Sequence, residues 1–315
     1  MLVDLHTMTF SDIENISDEK NKILTVRIEE KVEIEKLITL NKILLEKKLL
    51  ISVIIESESF HSDHVVSGIH VFQYLSNVSK LKIYVSDYDE PLETLNFLKS
   101  IHYLSYLDIS THAKKNLQLD ELKRFSELKY FSYLCEGLSK EQYSTIKSFS
   151  QMECLAVYDL NLKLINNYQL IRELRVHRKL IDPELFLEKF PNLENLTLEK
   201  CNGLDFQKNI AVQPNLVNVS LRYMNGINEI PKFKNPEKIK KLSLLGLKNL
   251  KSIDHIQEME NLEVLEITHI RNMNIESFLI LKQLKKLKQV YLVFEKAHLN
   301  AEFEEFAIEN RLPFI

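Results

Sequence analysis

One spacing constrains this chain more than any other property. The segment Phe190-Pro191-Asn192-Leu193-Glu194-Asn195-Leu196-Thr197-Leu198-Glu199-Lys200-Cys201-Asn202-Gly203-Leu204 reads as L-x-x-L-x-L-x-x-C-x-x-L. The pattern returns as Leu216-x-x-Val219-x-Leu221-x-x-Met224, Ile239-x-x-Leu242-x-Leu244-x-x-Leu247 and Leu262-x-x-Leu265-x-Ile267-x-x-Ile270, each 23 residues after the last. Its x-L-x-L core alternates as a strand buried on one face does. One strand per repeat at a fixed period predicts parallel strands side by side, each repeat burying its apolar face against its neighbours.

The first residue of each x-L-x-L pair can be followed through most of the chain: Leu81, Leu107, Phe131, Leu155, Leu174, Leu196, Val219, Leu242, Leu265 and Val290. The steps are 26, 24, 24, 19, 22, 23, 23, 23 and 25. Two less regular leading strands, Ile23–Ile28 and Leu49–Ile55, bring the expectation to about twelve parallel strands in an α/β solenoid.

The returns carry helix signals of uneven strength. Apolar positions Ile34, Leu37, Ile38, Ile43, Leu44 and Leu45 predict a helix between Val32 and Lys48, and a second is expected from about His64 to Leu75. Asp89-Glu90-Pro91 before Leu92, Leu95, Phe97 and Leu98 opens like another. Ser139 with Gln142 fits a capping box, and Asp182-Pro183-Glu184 starts a short helix through Phe186, Leu187 and Phe190. Pro231 and Pro236 favour extended or 3₁₀ returns, and the 19-residue step leaves almost no room for a helix. Helices should therefore back the first half on its convex side, with the second half thinner.

Composition excludes more than it assigns. A net charge of −4 gives no general attraction to phosphate backbones. Gly68, Gly137, Gly203, Gly226 and Gly246 lie too far apart to build a phosphate-cradling loop. No secretory signal or membrane-length apolar run is visible, and Cys135, Cys154 and Cys201 make no disulfide framework, so the chain reads as cytoplasmic, with no membrane partner. Residues 1–75 read as a cap with irregular leading units, 76–294 as repeats, and 295–315 as a capping helix with Phe303, Phe306 and Ile308 as cover.

Across residues 75–294 the chain resembles the leucine-rich repeat superfamily. It is most similar to stand-alone cytosolic proteins of bacterial type. The resemblance implies a horseshoe whose concave face binds a protein, and toxin-neutralising immunity proteins or scaffolds are its functional models. A toxin domain is then one partner to expect, and no cofactor is. The family's Asn or Cys after the L-x-L pair survives only as Cys201, with Met224, Leu247 and Ile270 in its place, so the turns must satisfy their backbone groups by other means.

Strand alternation places Tyr84, Tyr106, Tyr130 and Tyr158 on the face opposite the core, with Arg175, His177 and Arg222 beside them. Tyr and Arg are enriched at interface hot spots, although exposed strand tyrosines are also simply good β-formers. Thr197, Ser220 and Ser243 on the same face are small and read as uninformative scaffold. The competing class is a metal-dependent enzyme using His61, Asp63 and His64, with His70 nearby; the bland reading of that loop is a polar turn in which Ser62 or Asp63 caps the next helix. Cys154 on the open face, with His177, gives a nucleophile reading, and the lysines of 281–288 a weak nucleic-acid one; each has a commoner explanation, as a small tolerated residue and a solvated helix face.

Overall fold

The computed structural model describes residues 2–16, 23–84, 91–110, 113 and 117–313. It divides into two compact units, Met1–Ala156 and Val157–Ile315. In the first, parallel strands run in the order Leu2–Asp4, Thr25–Ile28, Ile51–Ile55, Val78–Ile83, Tyr106–Ile109 and Tyr130–Tyr133. In the second the order is Glu173–Ile181, Asn195–Glu199, Asn218–Arg222, Lys241–Leu245, Val264–Ile270 and Gln289–Phe294. With Cys154–Asn161, the strand in which the division falls, that makes thirteen among the described residues, against about twelve expected.

The pairing follows the sequence register. Val26 stands opposite Val53, Val53 opposite Leu81, Leu81 opposite Leu107, and Leu107 opposite Phe131. In the second unit Leu174, Leu196, Val219, Leu242, Leu265 and Val290 pair in turn. These residues are buried, so the irregular leading strands feed the same apolar column as the regular repeats. A side chain on this column sits between neighbours of its own kind, and each unit's core grows by that stacking.

Several returns differ from the helices expected. Residues 64–75 hold a strand, Val65–Ser67, and a 3₁₀ segment, Gly68–Gln73, where one α-helix is expected. Near Leu92–Leu98 the described structure is a bridge at Leu92 and a 3₁₀ segment at Asn96–Ser100; Asp89 and Glu90 lie outside the described residues. The reason is the apolar spacing. Leu95, Leu98, Ile101 and Leu104 are all buried and recur every third residue, as do Leu119, Leu122, Phe125 and Leu128, and again Ile253, Ile256, Met259 and Leu262. A period of three matches the 3₁₀ helix, where positions i and i+3 eclipse, and not the 3.6 of the α-helix.

Where α-helix forms, its cause is local. Ile34–Glu46 buries Leu37, Leu40, Ile43 and Leu44, while Ile38 and Leu45, read as part of its apolar face, are exposed. Lys140–Ile146 starts at the capping box expected of Ser139 and Gln142. Asp182 is left-handed at φ 56°, and the proline after it opens a 3₁₀ turn that passes into Phe186–Lys189. Only Leu162–Leu164, a single 3₁₀ turn, fills the short step, and another at Pro236–Lys238 follows the second proline of its return.

Asparagines replace the missing side-chain ladder. Before the strands, Asn192, Asn215, Asn235 and Asn261 donate from Nδ2 to the carbonyls of Gln169, Pro191, Pro214 and Glu237 in the preceding return. After the strands, Asn249 and Asn272 donate to the carbonyls of Asn225 and Lys248, and the Asn225 amide donates to Asn202 Oδ1. At the strand exits Lys200, Tyr223, Gly246 and His269 all have positive φ, of 54°, 53°, 65° and 58°, one per repeat. A Cβ at Gly246 would lie 2.4 Å from the Tyr223 ring, so that position needs glycine for space as well as for backbone.

The last strand is covered by the helix Ala297–Glu309. Phe303 is buried among Phe278, Phe294 and Phe306, with ring centroids 5.4–6.0 Å away. Ala307 and Leu312 complete the contact, whereas Ile308, expected as cover, is 71% exposed. The Val290 amide donates to the Pro313 carbonyl at 2.8 Å.

Candidate functional site

In each unit the sides of the strands away from the core form an open face, and the two faces are lined differently. In the first, Tyr106 and Tyr130 face each other in register and their rings stack, with centroids 3.9 Å apart and planes 11° from parallel. Lys82 places its ammonium 5.5 Å from the Tyr106 centroid. Tyr84 donates its hydroxyl to Asp108 Oδ2 at 2.7 Å, and Ser110 Oγ donates to Oδ1 at 3.1 Å. Asp108 and Ser132, the next residues along the strands, are buried. Burial raises the Tyr106 phenol above its ordinary value, and its hydrogen bond to Tyr130 adds to this; burial raises Tyr84 too, with the Asp108 bond second.

In the second unit Tyr158 sits edge-on to His177, centroids 6.1 Å apart, with the Arg178 guanidinium 5.8 Å from the tyrosine centroid. His177 Nδ1 lies 3.3 Å from Glu199 Oε2, while its Nε2 is buried without a hydrogen-bond partner. Burial lowers the His177 imidazole below the usual histidine range, and Glu199 opposes that shift without cancelling it. A neutral ring then donates from Nδ1 to Glu199 and leaves Nε2 as an unused acceptor.

Arg175, His177 and Arg222 line a hollow of ≈ 550 Å³ on this face. Asn195, Thr197, Asn218 and Ser220 contribute short side chains to it, and Lys241, Ser243 and Glu266 close its far end. Arg175 pairs with Glu173 of its own strand at 2.5 Å. Glu266 accepts from Lys241 at 2.7 Å and from Ser243 Oγ at 2.5 Å. Burial raises the Glu266 carboxyl, but the hydrogen bonds from Lys241 and Ser243 together with the charges of Lys241 and Arg222 hold the group below its ordinary value. Arg222 donates from Nε to Ser220 Oγ at 3.1 Å and makes no ion pair among the described residues. The hollow thus brings together three of the predicted residues with Glu173, Lys241 and Glu266, which the sequence did not single out. Thr197 and Ser220, read as uninformative, are what leave the room.

The histidine-rich loop is a hairpin turn. Phe60–His61 pairs antiparallel with Val65–Ser67, and the Ser62 hydroxyl caps the turn on Val65 rather than a helix. His61 and His70 approach edge to face at 5.7 Å, with Tyr74 and Gln73 as their neighbours. No group of three or more metal-capable side chains gathers among the described residues. Cys154, placed on the open face by alternation, is buried, as is Cys201, whose thiol burial pushes up to about 12. Lys282, Lys286 and Lys288 are engaged with Asn310, Asn261 and Glu263. Among the described residues, no helix is long and apolar enough to cross a membrane. No family model matches this chain, and a search of curated proteins also finds no match.

Proposed function

We propose that this chain is a non-enzymatic, cytoplasmic interaction protein of the leucine-rich repeat type, binding a protein partner on the open face of its strands. The observation that carries the reading is the half-exposed Tyr106–Tyr130 stack, held over a satisfied and buried Asp108. Rigid aromatic surface of this kind contributes contact area at small entropic cost, which is what interface anchors need. Cys154 and Cys201 are buried and lack the access an activated nucleophile needs. A bacterial immunity protein occluding a toxin domain is one version of this function, motivated by the repeat pattern.

The test is affinity capture from native cells by the full chain, followed by titration of the recovered partner. Tyr106→Ala combined with Tyr130→Ala should weaken that partner about tenfold or more, the scale of a lost hot spot. Unchanged affinity would place the interface elsewhere.

A further inference from the structure

We infer that the hollow of the second unit receives one acidic side chain of a protein partner, with Arg222 as the residue that grips its carboxylate. This rests on the open face being the binding surface, and it adds the chemistry of what binds there. The argument is one of leftover capacity. Of the cations lining the hollow, Arg175 is paired with Glu173 and Lys241 with Glu266. Arg222 is the cation left over: among the described residues it has no ion pair, and its one hydrogen bond goes to a neutral hydroxyl. A guanidinium carries five N–H donors in a planar fork, and a carboxylate is the group that accepts two of them in parallel.

His177 lies at the same wall but, as a neutral ring, offers that carboxylate no donor. Its Nδ1 is committed to Glu199, and its Nε2 is buried with nothing bound to it. The lining between the two is short and polar: Thr197, Ser220 and the linked pair Asn195 and Asn218, whose Nδ2 donates to Asn195 Oδ1 at 2.6 Å. The hollow is an opening on a strand face rather than an enclosed cavity, so its ligand arrives as a projection from a larger body. The Arg222 guanidinium, which feels the Glu266 charge but makes no ion pair among the described residues, is complementary to one Asp or Glu side chain.

The experiment uses the full chain and two blocked peptides, hexaglutamate and hexaglutamine, titrated at fixed salt while the Arg222 Nε–H resonance is followed by NMR. Hexaglutamate should bind saturably and shift that resonance, and hexaglutamine should not. Arg222→Gln should weaken hexaglutamate about ten- to hundredfold, the worth of a charge-assisted pair. Arg222→Lys, which keeps the charge but not the fork, should lose about three- to tenfold, and it serves where the glutamine variant fails to fold. No binding of hexaglutamate to the wild type, an equal response to hexaglutamine, or full binding by a folded Arg222→Gln or Arg222→Lys variant would overturn the proposal. None of these outcomes touches the tyrosine-dependent capture above, so the two readings fail separately.

Discussion

Tyr106 and Tyr130 occupy the same repeat position as Asn195 and Asn218, the residue just before the first apolar member of each pair. In the first unit two rings lie on one another there and bury the small or acidic residues beside them. In the second, an amide–amide hydrogen bond takes their place, and Thr197 and Ser220 stay half-exposed around the hollow. Register and strand direction are common to both. The size of one side chain per repeat decides whether the open face becomes an aromatic platform or a polar recess. In the second unit positive φ recurs at the strand exits Lys200, Tyr223, Gly246 and His269.

The largest effect should come from the second unit's end. Phe303→Ala should cost about 3–5 kcal/mol, as for other buried phenylalanines. Hydrogen exchange should register the loss in residues 264–294 far more than in residues 25–133; uniform deprotection would show the units to be one cooperative body. Gly246→Ala comes next, at about 2–3 kcal/mol, because it adds a clash with Tyr223 to a left-handed backbone. Adding Tyr223→Ala should recover the clash and leave about 1–2 kcal/mol of backbone cost, a partition that thermal unfolding can read.

Smaller still is the ring stack of the first unit. A double-mutant cycle on Tyr106→Ala and Tyr130→Ala should give a coupling of about 0.5–1.5 kcal/mol; a cycle that closes to zero would reduce the platform to two independent β-formers. The smallest effect is on pH. His177 is held below its ordinary 6.5 mainly by burial, and His70 in the first unit is lowered by burial and by His61. The unfolded chain therefore binds these protons more readily, so stability is intact above pH 6.5 and is lost as pH falls through that value toward the folded-state values. His177→Gln and His70→Gln should each flatten part of the denaturation-midpoint profile between pH 7 and about pH 5, and an unaltered slope in both would remove the effect.

The repeat register could be read residue by residue because x-L-x-L places one buried contact per strand, and a one-residue slip would turn that column to water. The capping box at Ser139 was equally local. The 3₁₀ returns were also written in the chain, as apolar residues every third position from Leu95 to Leu104 and from Leu119 to Leu128, but a search for helical periodicity counts spacings of three as α-helix. Ile308 misled for a related reason: the burial of Phe303 and Ala307 turns its side of the helix to solvent. For the candidate site, alternation placed Arg175, His177 and Arg222 on the side of the strands where the hollow lies. It could not find the hollow, because an opening is made by what Thr197 and Ser220 lack. Nor could it tell that Arg175 and Lys241 would be neutralised and Arg222 left, since ion pairing depends on rotamers that a pattern does not carry.

Val290 gives its amide to Pro313 rather than to a further strand. In a parallel array each strand presents outward the same rungs it filled inward, so a second molecule's leading strand would find a matching template there. Such head-to-tail addition has no closing symmetry and runs on as a filament. A single carbonyl placed on that rung, with the helix Ala297–Glu309 packed beside it, occupies part of the edge that such addition would use.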